Sequence, residues 1–140
     1  MSEAAEGAVT VTDSFNGPYG MFVTSGRHVM GADELPAAGG HDTGPSPYDF
    51  LKAALGACTA MTVRMYAARH SWPLEKISVA VTHAKVDAPD GGGKVDRFER
   101  VITLTGPLSE DQKDRLVEIA ERCPVSRTLR QGSSTITRAG

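Results

Sequence analysis

The chain has 140 residues, of which 40% are hydrophobic and 23% charged, with a formal net charge of -2. That balance describes a single globular domain, residues 1–140, and excludes a disordered polymer. Scattered lysines and arginines exclude a nucleic-acid partner, and no apolar run reaches membrane-spanning length. With no signal-like N-terminus, the expected location is cytoplasmic, without membrane attachment.

Residues 1–6 are small and polar and read as a frayed end. Residues 8–13, AVTVTD, alternate as a strand does, and Asn16-Gly17-Pro18 marks a turn. Residues 19–24 and 27–30 read as two short strands around Ser25-Gly26, a hairpin pair. Residues 31–46 form a long Gly/Pro-rich connection without periodicity, of the kind that often carries function.

A helix starts at Ser46-Pro47-Tyr48-Asp49, where Ser46 caps, Pro47 fits the first position and Asp49 completes a capping box. It continues to about residue 71, where Trp72-Pro73 stops it. Leu51, Leu55, Cys58, Thr62 and Met65 recur at spacings of three and four, which puts them on one face. The alanines and Gly56 point to close packing against another helix or a partner chain. Residues 77–87 and 97–106 read as strands, with Phe98, Val101 and Leu104 as strand formers, around an exposed loop at Asp90-Gly91-Gly92-Gly93. Ser109 and Gln112 make a second capping box, and Leu116, Ile119, Ala120 and Cys123 line that helix's inner face. Pro124 either ends it or opens another through Arg130. Residues 133–139 read as a last strand. The order β-β-β-α-β-β-α-α-β gives an α+β class with antiparallel pairing.

Chemistry centres on the two cysteines. Cys58, in an alanine-rich helix, is either an inert buried thiol or a reactive one that needs a nearby cation. Cys123 precedes Pro124. If Pro124 opens a helix, the backbone N–H groups there favour a thiolate; otherwise Cys123 fills a gap at a helix end. Asp49 is either a helix-start carboxylate or a group that orients an arginine, with Arg27, Arg64, Arg127 and Arg130 as candidates. His28, His41, His70 and His83 lack metal-ligand spacing, so no metal site is expected. Trp72 reads as a core or helix-end plug.

The stretch GPSPYDFLKAALGACTAMTVRMYAARHSWPLEKISV, followed by LTGPLSEDQKDRLVEIAERCPVSRTL, closely resembles the OsmC/Ohr superfamily. These are the osmotically inducible protein C and organic hydroperoxide resistance proteins. The resemblance runs from about Gly26 to the end, and GADELP, LGACTAMT and RMYA look most like the OsmC-like branch. It implies an OsmC-like fold, with curved antiparallel sheets around long central helices in an intertwined homodimer. It also implies a thiol-dependent peroxidase acting on organic hydroperoxides, with Cys58 as the attacking and Cys123 as the resolving thiol. No bound cofactor is implied; an external dithiol, such as a lipoyl group, would restore the thiols. The family's sites lie at the dimer interface and hold an arginine supported by a glutamate at the start of the long helix. Arg27 lies in the matching hairpin. The glutamate's position falls on Tyr48, with Asp49 one residue later, turned by about 100° around a helix. Arg27 and Asp49 are therefore the candidate supporting pair. The departure at Tyr48 keeps a second reading open, a small-ligand-binding relative without catalysis; a third is a thiol redox sensor in which the disulfide alters partner binding.

Overall fold

A computed structural model of the chain describes residues 6–140. The predicted frayed end, residues 1–6, lies outside them except for Glu6, which is exposed. The elements are β1 (Val9–Asp13), β2 (Met21–Ser25), β3 (His28–Ala32), a short 3-10 turn (Pro36–Ala38), α1 (Pro47–Arg69), β4 (Lys76–Asp87), β5 (Lys94–Thr105), α2 (Glu110–Ala120) and α3 (Pro124–Gln131). The α+β class follows from this order. The chain forms two compact units, one running up to Phe50 and including Ile136–Gly140, the other Leu51–Thr135. No described helix is long and apolar enough to cross a membrane.

In the first unit, β1, β2 and β3 pair antiparallel in sequence order. Ser25 pairs with His28, so the hairpin turn is Gly26-Arg27, one residue later than the sequence suggested. Gly26 takes φ 57, which a two-residue hairpin turn needs at its first position and which glycine adopts without strain. The aperiodic connection that follows is organised by one buried carboxylate. Asp33 Oδ1 accepts the Glu34 N–H at 2.7 Å; Oδ2 accepts the N–H groups of His41 at 3.3 Å and Thr43 at 3.1 Å, and the Thr43 hydroxyl at 2.7 Å. The Thr43 hydroxyl, helped by these N–H groups, holds the Asp33 pKa at about 2 against the cost of burial.

In the second unit, β4 and β5 form a hairpin of twelve residues a side. Ile77↔Leu104, Val79↔Ile102, Val81↔Arg100 and His83↔Phe98 share one face. Val101, a strand former as expected, belongs to the other face and is 60% exposed. Strand side chains alternate, so positions 98 and 101 cannot face the same way. The core is Val63, Ala67, Leu74, Leu108, Leu116 and Ala120, with Tyr66, Trp72, Ile77, Ile102 and Leu104 packed against it. Each large aliphatic side chain removed from water contributes about 1.5–3 kcal/mol. Trp72 is the helix-end plug that its position suggested, edge-on to Tyr66 at 5.5 Å.

Two details of α1 differ from expectation. Its buried stripe is Leu55, Thr59, Val63 and Ala67, while Leu51 and Met65 are exposed. A helix rich in alanine and other apolar residues on several sides does not reveal its core face by spacing alone. Gly56 does allow a close approach, but to β4: a Cβ there would lie 3.4 Å from Val81 Cγ2 and 3.8 Å from the Val79 carbonyl oxygen.

The tail also differs. Residues 132–140 have no regular structure, so the predicted strand at 133–139 is absent. Among the described residues no strand pairs with it, and a strand's backbone groups need a ladder.

Candidate functional site

Three α-helices start among the described residues, and the third start is unlike the others. At α1, the Ser46 N–H donates to Asp49 Oδ2 at 3.1 Å and the Asp49 N–H donates to Ser46 Oγ at 3.4 Å. At α2, Ser109 and Gln112 do the same at 3.0 and 3.1 Å. Both boxes are those expected from the sequence. At α3 the capping position is Cys123, with Pro124 next and no side-chain cap. Pro124 opens this helix, which settles the alternative left open by the sequence.

The structure brings Cys58 and Cys123 together. Both are free thiols, close enough that each shifts the ionisation of the other. Cys58 is half-buried on α1, whereas Cys123 is 0% exposed. The backbone at Val125 and Ser126 and the Thr59 hydroxyl lie near enough to Cys123 to favour its ionised form. The Val125 backbone and the Thr62 hydroxyl do the same for Cys58.

These contacts divide the pair electrostatically. Burial works to push the Cys123 thiol up, but the Cys58 thiol, the Ser126 N–H, the Thr59 hydroxyl and the Val125 N–H outweigh it, leaving the thiol below its ordinary value. Burial pushes the Cys58 thiol up, and the neighbouring Cys123 adds to that; the Val125 N–H and Thr62 offset only part. The first proton lost by the pair therefore leaves an anion centred on Cys123.

A group that the sequence reading did not single out stands behind Cys123. Arg100, on the inward face of β5 with a side chain 12% exposed, donates from Nη1 to the Thr59 hydroxyl and to the Ala120 carbonyl, both at 3.1 Å. Its Nη2 donates to Glu121 Oε1 at 3.2 Å, and Glu121 Oε2 accepts from Arg130. The signal was present: in a strand with Phe98, Ile102 and Leu104 on one face, position 100 shares that face, and an inward arginine needs partners.

Arg27 and Asp49 belong to the first unit. Arg27 is exposed in the β2–β3 turn, and Asp49 takes part in the α1 capping box. Of the other candidate arginines, Arg64 donates to the Leu74 and Glu75 carbonyls beyond the end of α1, and Arg130 pairs with Glu121. Beside the Arg100 network a cavity of about 730 Å³ opens, lined in part by Leu55, Phe98, Leu129, Arg97 and Arg130.

Comparison with known proteins places this arrangement in a family. No curated protein matches the chain. Among solved structures, the OsmC like protein from Mycoplasma pneumoniae shares 21% identity at a TM-score of 0.71, over 90% of this chain and 88% of that one. An organic hydroperoxide resistance protein OsmC from Legionella pneumophila shares 22% identity at 0.65, over 88% of each chain. The organic hydroperoxide resistance protein OhrB of Bacillus subtilis shares 21% identity at 0.62, over 88% of this chain and 89% of that one. These likenesses establish a shared fold. The family described as OsmC-like protein matches residues 40–138, a span that holds α1 and α3 with both cysteines, and the chain belongs to that family.

Proposed function

We propose that this protein is a thiol-dependent peroxidase that reduces organic hydroperoxides. The observation that carries the reading is the pair of neighbouring free thiols that shift each other's ionisation, one half-buried and one wholly buried. The half-buried Cys58 is the one a peroxide can approach, and the buried Cys123 is the one kept for resolution. Hydroperoxide resistance proteins among the structural neighbours support the substrate class.

The chemistry proceeds in three balanced steps. Cys58 sulfur attacks the terminal peroxide oxygen as its proton passes to the Cys123 thiolate; an S–O bond forms, the O–O bond breaks, and the alkoxide takes a proton from water. Cys123 sulfur then attacks the Cys58 sulfenic acid, an S–S bond forms, and the departing hydroxide leaves as water with the Cys123 proton. An external dithiol, such as a lipoyl group, reduces the disulfide by exchange and becomes oxidised in turn. No bound cofactor takes part. Arg27 and Asp49 remain the candidate support from the first unit, Asp49 standing next to Tyr48.

The chain acts as one OsmC-like domain within a cytoplasmic homodimer. The exposed apolar residues Leu51, Met61 and Met65 on α1 support a second copy as the cover, since they are costly to leave in water. The test is turnover of cumene hydroperoxide with a dithiol by the wild-type chain, Cys58→Ser and Cys123→Ser. Wild-type turnover lost in Cys58→Ser supports the reading; no turnover, or turnover unchanged by Cys58→Ser, refutes it.

The second reading, a small-ligand-binding relative, is favoured by the cavity of about 730 Å³, which falls within the usual range of ligand pockets. Saturable binding that persists in Cys58→Ser, without peroxidase turnover, would establish it.

A further inference from the structure

We propose that Arg100 is a positioning residue for the thiol pair, acting on Cys123 through the Thr59 hydroxyl. This rests on the reading of Cys58 and Cys123 as a redox couple. Arg100 Nη1 meets two atoms that flank Cys123. One is the Ala120 carbonyl, which also accepts the Cys123 N–H at 3.3 Å. The other is the oxygen of Thr59, a residue 0% exposed whose hydroxyl lies near enough to Cys123 to favour its ionised form. Glu121 holds the guanidinium from the opposite side and is itself paired with Arg130. β5, α1, the end of α2 and α3 are thereby tied together around one sulfur.

The count of protons gives this tie a mechanism. A hydroxyl has one proton to donate and two lone pairs to accept with. Thr59 donates to the Leu55 carbonyl, one turn back on α1, at 2.6 Å while accepting from Arg100. When Cys123 is a thiol, that back-bond satisfies the proton. When Cys123 ionises, the hydroxyl rotates about its C–O bond and donates to the sulfur. Arg100 continues to donate to the oxygen and polarises the O–H toward the anion. The arginine thus favours the thiolate without touching it. The charged or titratable groups facing this sulfur or its support are Cys58 from α1, Arg100 from β5, Glu121 beyond α2 and Arg130 from α3.

The test uses the full chain in a Cys58→Ala background, which leaves Cys123 as the sole thiol. Its ionisation is followed by thiolate ultraviolet absorbance as pH is raised, so no reagent has to enter the site. Arg100→Met and Thr59→Val are each expected to cut the thiolate fraction at neutral pH roughly tenfold, a shift of about one pH unit in the midpoint. The double variant is expected to go no further, because the two act in series. Thr59→Ser, which keeps the hydroxyl, is expected to titrate as its parent does. An unmoved midpoint in Arg100→Met overturns the proposal, and so do additive shifts, which would mean that the arginine acts without the hydroxyl. If Arg100→Met does not fold, Thr59→Val against Thr59→Ser decides, and equal midpoints overturn it. The titration involves no peroxide, so a chain without peroxidase activity can pass it and an active peroxidase can fail it.

Discussion

The starts of α2 and α3 make an instructive contrast. At α2, Ser109 and Gln112 satisfy the orphan N–H groups with oxygen, and nothing more is done with them. At α3, no side chain caps the helix, and the backbone at Val125 and Ser126 instead favours the ionised form of Cys123. One helix start is built for stability and the other lies beside a thiol whose ionisation is made easier. The same local physics, unpaired donors and a helix dipole, serves two ends according to which side chain stands at the cap.

The largest effect that bears on this contrast is chemical. Cys58→Ser should lower hydroperoxide turnover by about 10³-fold or more, because a serine hydroxyl does not ionise near neutral pH. Ser109→Ala, at the other helix start, should leave turnover per folded molecule unchanged; a comparable loss there would dissolve the contrast.

The next effect is on stability. Cys123→Ala leaves the α3 start uncapped, as the sulfur does, whereas Cys123→Ser places a preferred capping side chain there, worth about 0.5–2 kcal/mol. Urea unfolding should therefore find Cys123→Ser more stable than Cys123→Ala while both lack peroxidase turnover. Equal stabilities would mean that a hydroxyl at position 123 does not reach the α3 N–H groups.

A pH effect sets the sulfur beside the other group that gathers backbone donors, Asp33. Its folded pKa, about 2, lies below the ordinary 3.8, so the stability it contributes is complete above the ordinary value and is lost as pH falls toward 2. Asp33→Asn should flatten the fall in stability between those values, as read by urea midpoints. The thiol pair works in a higher window: turnover should rise with pH through the lowered Cys123 ionisation, since more thiolate forms as pH rises.

The smallest effect concerns α1. A Cβ at Gly56 meets only ordinary van der Waals contact with Val81, so Gly56→Ala should stabilise the chain by about 0.5–1 kcal/mol through helix propensity. Destabilisation in thermal melts would mean that α1 and β4 pack more closely than the 3.4 Å approach allows.

What the sequence revealed divides along the same physical line. Both serine capping boxes were legible because each lies within four consecutive residues. So were the hairpin around Asp90-Gly91-Gly92-Gly93 and the helix stop at Trp72-Pro73. The meeting of Cys58 and Cys123 was not legible from spacing, because it depends on how α1 packs against the α2–α3 turn; only resemblance of both motifs to one family pointed to it. Arg100 was missed because the strand was read for its strand formers alone, without following the alternation that places position 100 on the face of Phe98, Ile102 and Leu104. The α1 core face was misread because small apolar residues surround that helix, and the order around Asp33 was invisible because a loop held by a carboxylate has no period.

The most direct test of the central claim is intact and peptide mass spectrometry of the reduced chain after one equivalent of an organic hydroperoxide, without external dithiol. The account predicts a mass lower by two hydrogens and a Cys58–Cys123 crosslink within one chain. Two free thiols, or a stable sulfenic or sulfinic acid at Cys58 beside a free Cys123, would contradict it.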